Sequence, residues 1–238
     1  MDVELFWAAV DAGRLSESTR ASLRLDVDPD RLAKLGRFVR AEDRDRGLAA
    51  HALLRRVLAD RLDVRPAELV FETFCAACGE VGHGKPSVVG APVEFNLSHS
   101  GERVVVALAP AGVPVGVDVE TRRGVDWAGL RRQVFTDAEW ARTGAHPDPD
   151  AERTRTWARK EAAVKAVGHG LAMPLRTVET RPLEGLRDAA GPVWSVDLPQ
   201  GAGRLDGTDV DLGGYPGAVA VAGDPPQWRL RAHEAVLA

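Results

Sequence analysis

Strict alternation of apolar and polar positions is clearest at Val115-Gly116-Val117-Asp118-Val119-Glu120. A strand turns successive side chains to opposite faces. The three valines therefore enter a core while Gly116, Asp118 and Glu120 share the other face, the two acids about 7 Å apart at Cα. Similar short apolar runs predict strands over 3–10, 69–74, 93–96 and 103–109, parted by Gly and Pro turns. The spacing of Leu54, Leu58 and Leu62, with Leu53 and Val57 beside them, predicts a helix over 44–62 that Pro66 ends, after a short basic helix over 29–40. The second half repeats this grammar. A helix is expected near 125–134, Thr136-Asp137-Ala138-Glu139 fits a capping box, and a long helix spans 152–167 with Gly168 and Gly170 as its stop. Strands are then expected over 175–180, 192–198, 217–222 and 228–232. Helices followed by a run of strands, twice over, predict an α+β protein of two comparable halves rather than a doubly wound parallel sheet, with no residue-level repeat.

Two further segments place charge and hydroxyls where plain packing does not need them. On a helix, Trp157, Ala158, Glu161, Val164 and Lys165 fall within an arc of about 120°, so acid and lysine sit inside the apolar stripe. The plain alternative is a surface Glu-to-Lys pair at spacing four. Gly84-Lys85-Pro86 and Asn96-Leu97-Ser98-His99-Ser100-Gly101 frame the strand over 93–96, and Ser98, His99 and Ser100 are expected in a turn just past it, where donors can meet phosphate oxygens. Asp118 and Glu120 alone fit an edge strand with a wet acidic face. Joined by Glu161 and the lysines at 160 and 165, they make a set suited to bringing Mg²⁺ and a phosphate ester together.

Composition changes this picture little. The 238 residues, 45% hydrophobic, are enough for one large domain or two of about 120 residues. A net charge of −4 gives no global attraction to nucleic acid or to an anionic membrane, so neither is expected as a partner. Charge is uneven: residues 14–65 hold 13 Lys and Arg against 9 Asp and Glu, which favours an anionic ligand in the N-terminal half. Acids flank the apolar run 5–10, unlike a signal peptide, and no apolar stretch approaches 20 residues. Two cysteines suggest a reducing compartment, so a cytoplasmic location is expected. Cys75 and Cys78 with His83 have zinc-ligand chemistry but no fourth ligand nearby, and an unligated turn is expected, not a zinc-knuckle nucleic-acid binder.

Taken in order, Gly84-Lys85-Pro86 leading to Phe95-Asn96-Leu97-Ser98-His99-Ser100, then Val115 to Glu120, then Trp157-Ala158-Arg159-Lys160-Glu161 ending at Lys165, make the sequence resemble the Sfp-type 4′-phosphopantetheinyl transferases. The likeness spans most of residues 29–171, and the last 60 residues match only in strand-like pattern. It implies two similar α+β halves related by a pseudo-twofold axis, 1–113 on the nucleotide side and 114–238 on the metal and carrier-protein side, with the active site in the cleft between them. It implies that the 4′-phosphopantetheine arm of coenzyme A passes to a serine of an apo acyl, polyketide or peptidyl carrier protein, releasing adenosine 3′,5′-bisphosphate. Asp118, Glu120 and Glu161 would ligate Mg²⁺, for which Mn²⁺ could substitute, and Lys165 would meet the pyrophosphate. Arg31, Lys34, Arg46 and His99 would surround the 3′-phosphoadenosine end, with Lys85 and Ser98 nearby. Glu161 is the candidate base, alone or through a metal-bound water, and a monomer is implied. Arg31 stands where many members carry Lys, which keeps the charge but changes phosphate geometry. A catalytically idle coenzyme A-binding module is the competing reading, but a silent binder needs no carboxylate triad.

Overall fold

The computed structural model describes every residue except 76–77, 122–123, 169–172, 189, 200–202, 224–227 and 238. Two sheets lie face to face, each with helices on its outer side, as the alternation of the strands requires. The first sheet has the order β11-β1-β5-β4, with β1 at Asp2–Ala9, β4 at Val93–Ser100, β5 at Arg103–Pro110 and β11 at Arg229–Glu234. Helices α1 (Glu17–Asp26), α2 (Pro29–Leu35) and α3 (Ala41–Leu62) cover its outer face. Along β5, Val104, Val106 and Leu108 meet those helices, whereas Val105, Ala107 and Ala109 enter the layer between the sheets.

The second sheet has the order β6-β10-β9-β8-β7: β6 at Val115–Val119, β7 at Glu179–Arg187, β8 at Pro192–Asp197, β9 at Arg204–Asp211 and β10 at Pro216–Val221. Val115, Val117 and Val119 of β6 join Val219 and Val221 of β10 in the layer between the sheets. Its other face packs on α4 (Trp127–Val134), α5 (Asp137–Gly144) and α6 (Pro149–Ala166). The expected α+β class is observed, and the named strand pairs are antiparallel except β1 with β11. The C-terminal strand β11 therefore belongs to the first sheet. A separate hairpin pairs β2 (Phe71–Phe74) with β3 (Lys85–Val88). No helix among the described residues is long and apolar enough to cross a membrane.

The capping box at Thr136 forms as expected: its hydroxyl accepts from the Glu139 amide while the Glu139 carboxylate accepts from the Thr136 amide. Several expected bounds shift. Ser98, His99 and Ser100 are strand, not turn, because β5 pairs with them through to Ser100 opposite Arg103, and the turn waits for Gly101. A ladder partner outweighs the local turn preference of serine. The stretch 175–180 opens as a 3₁₀ turn at Leu175–Thr177, where the Thr177 hydroxyl donates to the Pro174 carbonyl at 2.7 Å, and the strand begins only at Glu179. Helix α1 and strands β3 and β9 come in addition to the expected elements. Gly168 follows α6 at φ +74°, and Gly170 lies outside the described residues.

Candidate active site

The site is built on a seam. Strands β4 and β6 are edge strands of different sheets, and side chains rather than a backbone ladder join them. The Val117 amide donates to Asn96 Oδ1 at 3.0 Å, Ser98 Oγ donates to Asp118 Oδ1 at 2.9 Å, and Ser100 Oγ donates to Glu120 Oε2 at 3.2 Å. Alternation explains the match, since Asn96, Ser98 and Ser100 share one face of β4 as Asp118 and Glu120 share one face of β6. Helix α6 closes over that face because Gly116 has no side chain: a Cβ there would overlap the Ala162 carbonyl oxygen.

This close approach delivers three residues of α6. Trp157 Nε1 donates to Glu120 Oε1 at 2.9 Å. Lys165 Nζ donates to Asp118 Oδ1 at 2.6 Å and to Ser98 Oγ at 3.1 Å. Glu161, one turn from Trp157 and from Lys165 along α6, is 8% exposed. All of these, with His99, line one open cavity of about 340 Å³.

Three carboxylates here face one ammonium. Burial, with Lys165 opposing it, raises the pKa of Asp118; burial and then the charge of Asp118 push Glu120 up to about 7 and raise Glu161. Two buried oxygens, Asp118 Oδ2 and Glu161 Oε1, have no hydrogen-bond partner. Desolvated, mutually repelling carboxylates with unsatisfied oxygens cost stability unless a cation binds them. An all-oxygen donor set of this kind fits a hard divalent ion such as Mg²⁺.

Leu97 lines both this cavity and a larger one of about 740 Å³. Arg31 and Lys34 of α2 line the larger cavity with His51 and Arg55 of α3. His51, absent from the sequence-level candidates, is neutral: burial first and then Arg31 push its pKa down to about 3. Its spacing of four from Arg55 puts both on one helix face, which is the one signal the sequence offers. Arg46 stands outside both linings, donating to the Gly101 carbonyl at 2.7 Å and to Asp43 at 2.8 Å. It is near enough to His99 to reinforce the lowering that desolvation begins in the pKa of that imidazole.

The seam thus brings together Ser98, His99, Asp118, Glu120, Glu161 and Lys165, while Arg31 and Lys34 serve the adjoining space. Lys85 is committed elsewhere. Its ammonium donates to Glu94 Oε2 at 2.9 Å and to the carbonyls of Ala166 at 3.0 Å and Val115 at 3.3 Å, tying the end of α6 to the start of β6. Lys160 points away from the cavity to a fully buried pair with Glu139.

Residues 114–196 match the model of the 4′-phosphopantetheinyl transferase superfamily. The matched stretch holds Asp118, Glu120, Glu161 and Lys165. Over 189 residues the chain is 30% identical to 4′-phosphopantetheinyl transferase HetI of Nostoc sp., covering 76% of each protein. It is 29% identical over 189 residues to 4′-phosphopantetheinyl transferase ffp of Bacillus subtilis, covering 78% of this chain and 77% of the other. Against 4′-phosphopantetheinyl transferase Sfp of Bacillus subtilis (strain 168) it is 27% identical over 171 residues, with coverages of 70% and 71%. The seam of buried carboxylates therefore belongs to a transferase, and the chain is a member of the 4′-phosphopantetheinyl transferase superfamily.

Proposed function

We propose that the protein transfers the 4′-phosphopantetheine arm of coenzyme A to a serine of an apo carrier protein, with Mg²⁺ held by Asp118, Glu120 and Glu161. The observation that carries this reading is the pair of unsatisfied buried oxygens, Asp118 Oδ2 and Glu161 Oε1, in a cavity that also holds Lys165. When bound, Mg²⁺ supplies Lewis-acid neutralisation of the diphosphate.

The protein's own groups do the rest. Lys165 meets the pyrophosphate and stabilises the negative charge that grows on the bridging oxygen as adenosine 3′,5′-bisphosphate departs. Ser98 holds the Lys165 ammonium and Asp118 in register through its hydroxyl. Glu161, whose pKa burial and then the charge of Asp118 raise, takes the proton of the attacking serine in this reading, directly or through a water. Arg31 and Lys34 of the larger cavity, with His99 of the adjoining seam and Arg46 beside it, surround the 3′-phosphoadenosine end. In this reading 1–113 is the nucleotide half, its sheet completed by β11, and the rest of 114–238 is the metal and carrier half, in a monomer.

The test is incubation of an apo acyl, a polyketide and a peptidyl carrier protein with coenzyme A, with and without Mg²⁺, followed by intact-mass spectrometry. A gain of one phosphopantetheine mass on at least one carrier, abolished by chelation, is expected. No gain on any of the three carriers would overturn the reading.

A further inference from the structure

Among all the described residues, one set of three His, Cys, Asp or Glu has ligand atoms all within 4.8 Å of one another: Cys75 and Cys78 Sγ and a ring nitrogen of His83. We propose that these three residues bind a zinc ion that clips the β2–β3 hairpin forming a wall of the larger cavity.

Cys78 Sγ lies 3.3 Å from His83 Nε2. Ligands at zinc's usual bond lengths of about 2.0 to 2.3 Å, set tetrahedrally, fall about 3.3 to 3.8 Å apart. The backbone is folded for this arrangement. The Gly79 amide donates to the Cys75 carbonyl at 2.8 Å with Gly79 at φ +78°. The Cys75 amide donates to the Glu80 carbonyl at 2.9 Å and the Gly82 amide to the Thr73 carbonyl at 3.1 Å, returning His83 to the same end. Gly84 then sits at φ +96°, where a Cβ would overlap the Phe74 carbonyl oxygen.

Two thiolates and an imidazole select zinc over Mg²⁺, which takes oxygen ligands. Cys78 and His83 are exposed, so water completes the fourth position. Zinc takes both sulfurs as thiolates.

The hairpin needs such a clip. Its strands are four residues each, and an isolated two-stranded hairpin is marginal in water. Phe74 is 51% exposed and Val81 80%, so little apolar burial holds this end. Yet Thr73, Gly82 and Pro86 line the cavity that holds Arg31 and Lys34. Order at the clip becomes shape at that wall.

The chain, purified without chelators from zinc-supplemented cells, should carry about one zinc per molecule by mass spectrometry of the metals. The Cys75→Ser/Cys78→Ser variant should carry none while keeping its far-ultraviolet circular dichroism. Exchange of the wild-type ion for Co²⁺ should produce the visible and near-ultraviolet bands of thiolate coordination, a readout independent of how the variant folds. Less than about a tenth of a zinc per chain without cobalt bands, or a Cys75–Cys78 disulfide in fresh protein, would overturn the proposal. Carrier modification is scored separately, so the clip and the transferase assignment fail independently.

Discussion

Helix α6 buries charge on two sides, and the two sides differ in kind. Away from the cavity, Lys160 and Glu139 are both fully buried at 2.5 Å, and the remaining partners are supplied: Lys160 donates to the Val134 and Leu175 carbonyls, and Glu139 accepts from the Thr136 and Thr180 amides. Arg159 is likewise satisfied by a two-pronged pair with Asp209 and by Glu152. On the cavity side, Glu161 and Asp118 keep oxygens with no partner. The saturated Lys160 and Arg159 pairs hold α6 in place, whereas the unsaturated carboxylates of the cavity side keep buried oxygens without a partner among the described residues.

Breaking the saturated side gives the largest effect. Lys160→Met strands Glu139 in the core and should cost about 3 to 5 kcal/mol of stability, read by chemical denaturation, while the molecules still folded keep their turnover. A cost below about 1 kcal/mol would erase the contrast.

On the unsaturated side the sign of the stability change reverses. Glu161→Gln should lower the transfer rate by about 10² to 10³ fold while the melting temperature of the metal-free protein holds or rises, because a repelling buried charge has gone. A fall in both together would make Glu161 structural.

Smaller effects sharpen the division between the cavities. Arg31→Ala and Lys34→Ala should each raise the KM for coenzyme A by about tenfold, one charge-assisted hydrogen bond's worth, and leave kcat unchanged, whereas Lys165→Ala should depress kcat.

The smallest effect is a pH dependence. Glu120 stays protonated in the folded protein up to about pH 7, whereas its ordinary value is 4.5. Its contribution to stability is fully present below pH 4.5 and is lost as pH rises through 7. The metal-free protein should therefore melt a few degrees higher at pH 5.5 than at pH 8, more so than Glu120→Gln. Saturating Mg²⁺, which binds the ionised form, should shrink that difference.

What the sequence made legible follows the same physics. The alternation from Val115 to Glu120 and the arc holding Trp157, Glu161 and Lys165 were readable because period and side-chain type agree there. Strand β4 was read short because Ser98, His99 and Ser100 have turn chemistry, and only their pairing with β5 makes them strand. Strand β9, Arg-Leu-Asp-Gly-Thr-Asp-Val-Asp, hides its burial because Asp209 enters the core only with Arg159 fifty residues earlier. Lys85 carries a motif's signature, yet its three partners come from β4, β6 and α6, a convergence no local window contains. Cys75, Cys78 and His83 were visible as residue types, while their convergence depended on backbone bonds across the hairpin.

The parallel pairing of Asp2–Trp7 with Arg229–Glu234 has a consequence for how this protein is made. The outer edge of β1 has no strand neighbour until residues 229–234 have been made. Completion of the first sheet thus waits on that segment, so a chain cut short before residue 229 would display an open β-edge of the kind that recruits chaperones or a second chain.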